Sequence, residues 1–219
     1  ASRGNGTLRQ GPSPARQNAR METLTQEIAA VAARLVVEDG LDYGSAKRHA
    51  GRQLGVPPRT ALPDNTLVEA AVREHLALFH ADTQPGELVA LRRLALQWME
   101  RLAEFRPHLS GAVWHGTATR LSDIYLQLFC DDPKSAEITL IDHGVDYQAR
   151  ATTGFNGASV DALSLSAPCP ELGEPVGVHL MIHDHDELRG ALRAGADGRA
   201  PRGDRQALLR RMAAEAPVP

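Results

Sequence analysis

Residues 111–126 form the stretch of the chain whose residue types and spacing point most directly to chemistry. Gly111 and Gly116 bound a short segment, and Ser122 and Asp123 follow it at the start of an apolar and aromatic run. Glycine lets the backbone turn sharply and approach a ligand closely. The stretch therefore predicts a Gly-bounded turn before a strand that begins with an acid.

The same stretch resembles the signature of the nucleotidyltransferase superfamily, whose members have the DNA polymerase β-like fold. That signature is a Gly-Ser pair at the end of the first strand, a short helix-turn, and Ser-Asp-x-Asp on the second strand. Several residues fall where the family places such types: Gly111, Gly116, Thr117, Ala118, Ser122, Asp123, Ile124 and Leu126. The resemblance covers about residues 106–193 and implies that the first strand ends near Gly111.

The resemblance implies a role for each matched residue. The turn at Gly111 and Ala112 would approach the phosphates of an NTP. Three more residues would belong to the nucleotide site: Gly116, Thr117 and Ser122. The family also has a third acid on a neighbouring strand, for which Asp161 is the best-placed candidate. Asp123 and Asp161 would coordinate Mg²⁺, and an acceptor hydroxyl would attack the α-phosphate.

Two departures from the signature leave the activity open. Ala112 stands where the family has serine, and Tyr125 stands where it has the second aspartate. A neutral phenol cannot replace a carboxylate that bridges two metal ions. The chain is therefore either a nucleotidyltransferase acting on an NTP and an unknown acceptor, or a degenerate member that senses a nucleotide or binds a protein partner.

A plainer interpretation of the stretch needs no ligand. The glycines would serve tight turns between two strands, and Ser122 or Asp123 would cap or end an element.

A third functional class is a DNA-binding regulator. Residues 42–55 resemble a helix-turn-helix faintly, and Lys47, Arg48 and Arg52 could contact phosphates. The Pro57-Pro58 pair interrupts the chain where a recognition helix would continue.

Histidines and serines in the last strands offer weaker candidates. His183 and a neighbouring acid could hold Zn²⁺ or Fe²⁺ with His115 or His143, although a solvated face and a helix cap at Asp184 or Asp186 explain the same residues. Ser164 or Ser166 near a histidine suggests acid-base chemistry, as does Asp142-His143 with Asp146, but neither set has a nucleophile-elbow pattern.

Composition limits the remaining possibilities. The chain has 219 residues, of which 42% are hydrophobic and 23% charged, with a formal net charge of -3. These values exclude a disordered chain, the near-neutral charge disfavours nucleic acid as a partner, and no run is long enough to span a membrane. Two cysteines favour a cytoplasmic location, and the excess of arginine over two lysines favours a bacterial source.

Periodicity predicts four helices and then a change of pattern. Helices are expected from Thr23 to Gly40, over 45–54, from Asp64 or Asn65, and from Pro85 to about 106. Residues 1–20 contain one large apolar residue and are expected to be a disordered leader.

Beyond Pro107 we expect strands separated by two helices. The strands are predicted over 111–114, 124–130, 145–149, 160–165 and 176–182, and the helices over 133–141 and after Asp184. Residues 194–219 are expected to be a basic tail with a short helix at 206–214. The predicted fold is therefore α+β, a helical region over 21–106 followed by a nucleotidyltransferase-like mixed sheet over 107–193 flanked by helices.

Overall fold

The chain folds as α+β, with N-terminal helices followed by a six-stranded mixed sheet that helices flank. The structure is a computed structural model, and it describes residues 14–195 and 198–215. Within these residues, no helix is both long and apolar enough to cross a membrane.

The first three helices form a cluster of their own. They are α1 (Pro14–Asp39), α2 (Tyr43–Gln53) and α3 (Asn65–Phe79). Asp42 and Asp64 cap α2 and α3 by accepting hydrogen bonds from backbone amides, which satisfies N–H groups that a helix cannot pair internally. Both helices pack on α1 around a separate apolar core.

The predicted leader over residues 1–20 is only partly within the described residues. Residues 1–13 lie outside them, whereas residues 14–20 form the first turns of α1. The first helix therefore begins earlier than its apolar spacing indicates.

The fourth helix, α4 (Gln84–Arg101), belongs to the core of the sheet and not to the helical cluster. Its broad apolar stripe, including Leu91, Leu94 and Trp98, is buried with the apolar side of the central strands.

The sheet has the strand order β3-β4-β5-β2-β1-β6. The strands are β1 (His108–Ser110), β2 (Ile124–Cys130), β3 (Gln148–Thr153), β4 (Ser159–Cys169), β5 (Glu174–Asp184) and β6 (Arg202–Gly203). Strands β2 and β5 are parallel, and all other neighbours are antiparallel.

The remaining helices are α5 (Gly111–His115), α6 (Pro133–Asp142), α7 (Leu188–Ala191) and α8 (Arg205–Glu215). The strand predicted over 111–114 is therefore wrong. Gly111 has a φ of 70°, which ends the extended chain, and α5 buries Val113 and Trp114. The first strand ends at Ser110, close to the position that the resemblance implied.

The predicted basic tail is part of the fold as far as residue 215. It contributes β6 at the edge of the sheet and α8, whose Leu208 is fully buried. The guanidinium of Arg211 stacks on the ring of Trp114, with its Cζ 4.0 Å from the ring centroid.

The two sides of the sheet differ in chemistry, because successive side chains of a strand point to opposite sides. One side is the apolar core that α4 covers. The other side carries Tyr125, His179 and His183, and we call it the histidine face.

Candidate functional site

The short helix α5 is held at its C-terminal end by arginines from three other helices. Its last carbonyls accept hydrogen bonds from Arg92 (Nε to Val113 O, 3.1 Å), Arg211 (Nη1 to Trp114 O, 2.8 Å) and Arg73 (Nη2 to His115 O, 2.6 Å). A five-residue helix is too short to be stable alone, so these contacts determine where it lies.

The N-terminal end of α5 lies beside the start of β2. Ser110 pairs with Tyr125 across the two strands, and a Cβ at Gly111 would be 3.7 Å from Cδ2 of Tyr125. The turn and the acid-bearing strand that the sequence indicated are therefore neighbours in space.

A cleft of about 590 Å³ opens between this turn and the N-terminal helices. Of the predicted site residues, Gly111, Ala112, Ser122 and Asp123 line it. The helices contribute, among others, Asp42, Tyr43, Asn65 and Glu69.

Gly116 and Thr117 do not line this cleft. Gly116 ends α5 with a φ of 83° and lines a second cavity, which lies beside Arg92 and α8. Thr117 is buried. The backbone N–H groups of both residues donate to the carbonyl of Ala112, so they support the turn without lining the cleft.

Asp161 does not meet Asp123. Asp123 directly precedes Ile124, which pairs with Val178, whereas Asp161 pairs with Ile182, roughly 13 Å further along β5. The alternation of side chains also places Asp161 on the side of the sheet opposite to His179. The sequence-based pairing of the two aspartates is therefore corrected, because they cannot share one ion.

Asp123 instead has a histidine partner. Its Oδ2 is 3.0 Å from Nε2 of His179, and this hydrogen bond is the main cause of a lowered pKa of Asp123. The imidazole also lies 2.8 Å from the hydroxyl of Ser164 through Nδ1 and stacks on the ring of Tyr125, with centroids 4.8 Å apart.

The residues present do not fit the Mg²⁺ pair of a nucleotidyltransferase. Burial, followed by the charge of Asp123, raises the pKa of Tyr125, which keeps its phenol neutral. In residues 14–195 and 198–215, no group of three or more His, Cys, Asp or Glu side chains is arranged to hold a metal ion.

The cleft is acidic. Asp42, Glu69 and Asp123 line it, and no lysine or arginine among the described residues does so. A hydrogen bond from Ser45 lowers the pKa of Asp42, so this carboxyl stays ionised. Glu69 is partly neutralised, because Arg73 and Arg199 lie 2.7 and 3.4 Å from its Oε1.

Comparison with known proteins does not supply a function. No protein-family model matches the chain, and no curated protein matches it. A function must therefore be inferred from the chemistry of the cleft and of the neighbouring side of the sheet.

His183 is a buried residue, and it belongs to no group of three or more potential metal ligands within the described residues. Its Nδ1 is 3.0 Å from Glu187 and its Nε2 is 2.6 Å from Gln127, and its ring lies against Phe129 and Phe155. The prediction that the histidines of this strand lie on a solvated face is therefore wrong for His183. Asp184 caps the following helical turn, as predicted.

Residues 42–55, which resemble a helix-turn-helix faintly, contain α2 with its N-cap and the residues that follow it. Residues 54–64 separate α2 from α3, so these two helices lack the turn of three or four residues that joins the helices of the motif.

The sequence analysis missed His179 as a partner of Asp123. The available signal was the alternation over 176–183, which puts His179 and His183 on one side of a strand. The pairing of β5 with β2 was not visible, because these strands are separated by two others along the chain.

Proposed function

We propose that the protein is a nucleotide-sensing module with a nucleotidyltransferase-like fold, which binds the nucleoside part of its ligand in the cleft beside Gly111 and Tyr125. The observation that carries the proposal is that Gly111, Ala112, Ser122 and Asp123 line one cleft. At about 590 Å³ the cleft lies within the range of small-molecule sites.

The lining suits a base and a sugar. Tyr125 is 38% exposed, and since one side of its ring is against His179, the other is available to a base. Stacking of a base on an aromatic side chain contributes about 1–3 kcal/mol. Asp42 and Asn65 supply acceptors for sugar hydroxyls.

The charge of the cleft favours sensing over transfer. The carboxylates of Asp42 and Asp123 repel a triphosphate, as does the partly neutralised Glu69, and no lysine or arginine among the described residues lines the cleft to offset them. The separation of Asp161 from Asp123 also removes the support for a two-metal reaction. We therefore place nucleotidyl transfer behind sensing. The free thiols of Cys130 and Cys169 are compatible with a reducing cytoplasm, where we place the protein.

The test is a thermal-unfolding screen with the four nucleosides and the four NTPs, each with and without Mg²⁺. A ligand that binds only the folded protein stabilises it by about 2.7 kcal/mol at 100 times its Kd. We expect a nucleoside to raise the midpoint, and its triphosphate to raise it less when Mg²⁺ is absent.

Matched variants make the screen specific. Asp42→Asn should strengthen triphosphate binding without weakening nucleoside binding, because asparagine caps a helix as well as aspartate does. Asp64→Asn, the equivalent cap of α3 outside the cleft lining, should change neither. Tyr125→Ala should weaken nucleoside binding about 10-fold. If no nucleoside or NTP shifts the midpoint of folded protein, the proposal is wrong.

A further inference from the structure

Two hydrogen bonds link three residues across the histidine face. Ser164 on β4 bonds through Oγ to Nδ1 of His179 on β5 at 2.8 Å, and Nε2 of His179 bonds to Oδ2 of Asp123 at 3.0 Å. A hydroxyl, an imidazole and a carboxylate in this order are the parts of an activated serine nucleophile.

The direction of both bonds follows from the carboxylate. An ionised Asp123 can only accept, so Nε2–H of His179 donates to it. In the neutral imidazole Nδ1 then has a free lone pair, and it accepts the O–H of Ser164. The hydroxyl proton therefore already points at a base.

The strand register holds the three residues in place. Ser164 and His179 are direct partners in the antiparallel β4-β5 pair. Gly177 lies so close to Asp123 that a Cβ there would be 2.7 Å from Cγ of the aspartate. Stacking on Tyr125 restrains the ring of His179 from the other strand.

A cation lies on the same side of the sheet. Arg150 on β3 pairs with Ala162, which shares the side of Ser164 because the two are separated by one residue. Arg150 is exposed, and its charge acts on the phenol of Tyr125, two strands beyond Ser164. Arg150 therefore lies on the same side of the sheet as Ser164, where its charge would stabilise an oxyanion formed at Ser164.

We propose that Ser164 is the nucleophile of an esterase site on the histidine face, with His179 as general base and Arg150 as the oxyanion-stabilising cation. Asp123 acts through His179 and is a positioning residue. The substrate class is a carboxylic ester that approaches the half-buried Ser164 from this side of the sheet. This activity is separate from nucleoside binding, although Asp123 borders both sites.

The reaction proceeds in two balanced halves. Oγ of Ser164 forms a bond to the ester carbonyl carbon while its proton moves to Nδ1 of His179, and the leaving alkoxide takes that proton as its bond to carbon breaks. Water then attacks the acyl-serine, gives its proton to Nδ1, and this proton returns to Oγ as the acid departs. One ester and one water give one acid and one alcohol.

The experiment uses a fluorophosphonate probe, which releases fluoride on reaction with a serine, and p-nitrophenyl acetate. We expect the probe to label Ser164 of the wild-type protein, as located by mass spectrometry of its peptides, and the ester to be hydrolysed with saturation. Peptide mapping of the wild type requires no variant to fold.

Variants then assign the roles. Ser164→Ala should abolish labelling, and His179→Ala should lower its rate about 100-fold or more. Arg150→Gln should lower kcat about 100-fold. Asp123→Asn should lower kcat at an unchanged KM, which a purely structural effect on substrate binding would not do.

Ser166→Ala is the matched control, because Ser166 lies on the same side of β4 opposite Gly177 and not opposite a histidine. Its labelling and hydrolysis should equal those of the wild type. A folded wild-type protein that is not labelled, or one whose labelling survives Ser164→Ala, overturns the proposal. Because the nucleoside screen has a separate readout, either proposal can fail while the other holds.

Discussion

Gly177 and Asp123 are in such close contact that position 177 has no space for a side chain. The carboxylate lies over the Cα of Gly177 on β5, where an added Cβ would be 2.7 Å from Cγ of Asp123. Gly177 and His179 together therefore define the place of the acid that borders the cleft.

We expect Gly177→Ala to displace the carboxylate of Asp123 and to break its bond to His179. Forcing an extra methyl group into an occupied position costs about 1–3 kcal/mol. Urea denaturation should show this decrease in the free energy of unfolding. Gly86→Ala in α4 is the control, since a Cβ there meets nothing within 4 Å, and it should leave stability unchanged or raise it. Equal effects of the two substitutions would contradict the packing argument.

We expect Arg92→Met to destabilise the protein by about 1–3 kcal/mol. Arg92 is 1% exposed, and its removal leaves the carbonyl of Val113 without this partner, whereas the carboxylate of Glu215 is half exposed and can be solvated. The measurement is again urea denaturation.

Arg93→Met provides the control on the neighbouring residue of the same helix. Arg93 is exposed and forms an ion pair with Glu171 at 3.1 Å, and exposed pairs contribute at most about 1 kcal/mol. A loss at Arg92 no larger than that at Arg93 would show that the buried guanidinium does not support α5.

We expect the free energy of unfolding to fall as the pH falls below about 6.5, the ordinary histidine pKa in an unfolded chain. Burial lowers the pKa of His183, and likewise that of His108, in the folded protein. Between the folded and unfolded pKa values, the unfolded chain binds a proton that the folded protein does not, so acid favours unfolding.

His183→Gln should reduce this pH dependence without abolishing it, because His108 still contributes. Stability measured by urea denaturation at pH 7.5 and pH 5.5 gives the slope. His143→Gln, on an exposed residue after α6, should keep the wild-type slope. An unchanged slope in His183→Gln would show that the buried imidazole does not titrate as we infer.

The longer helices and the central strand could be predicted because their signals are local. Helix α3 begins at Asn65, one of the two expected starts, and β2 has the predicted bounds. Helix α5 could not be predicted, since Val113 and Trp114 between two glycines are typical of a short strand. Its helical form depends on arginines that are distant in sequence.

The candidate site shows the same division. Residues that are close in the chain, such as Gly111, Ser122 and Asp123, do line one cleft, because a turn and the following strand stay together. Asp161 was misplaced because its side of the sheet depends on the register of β4 with β5. That register cannot be inferred from the sequence alone, and a shift by one residue would place Asp161 on the other side of the sheet.

The anchoring of α5 by three helices also has a consequence for the speed and cost of ligand capture. One wall of the cleft has its final shape before any ligand arrives, so no segment there has to become ordered on binding. The association rate constant should then be high for every ligand that fits, and selectivity should depend on differences in the dissociation rate constant. A rigid cleft wall also accepts few ligand shapes, which would help the proposed sensor to discriminate against close analogues.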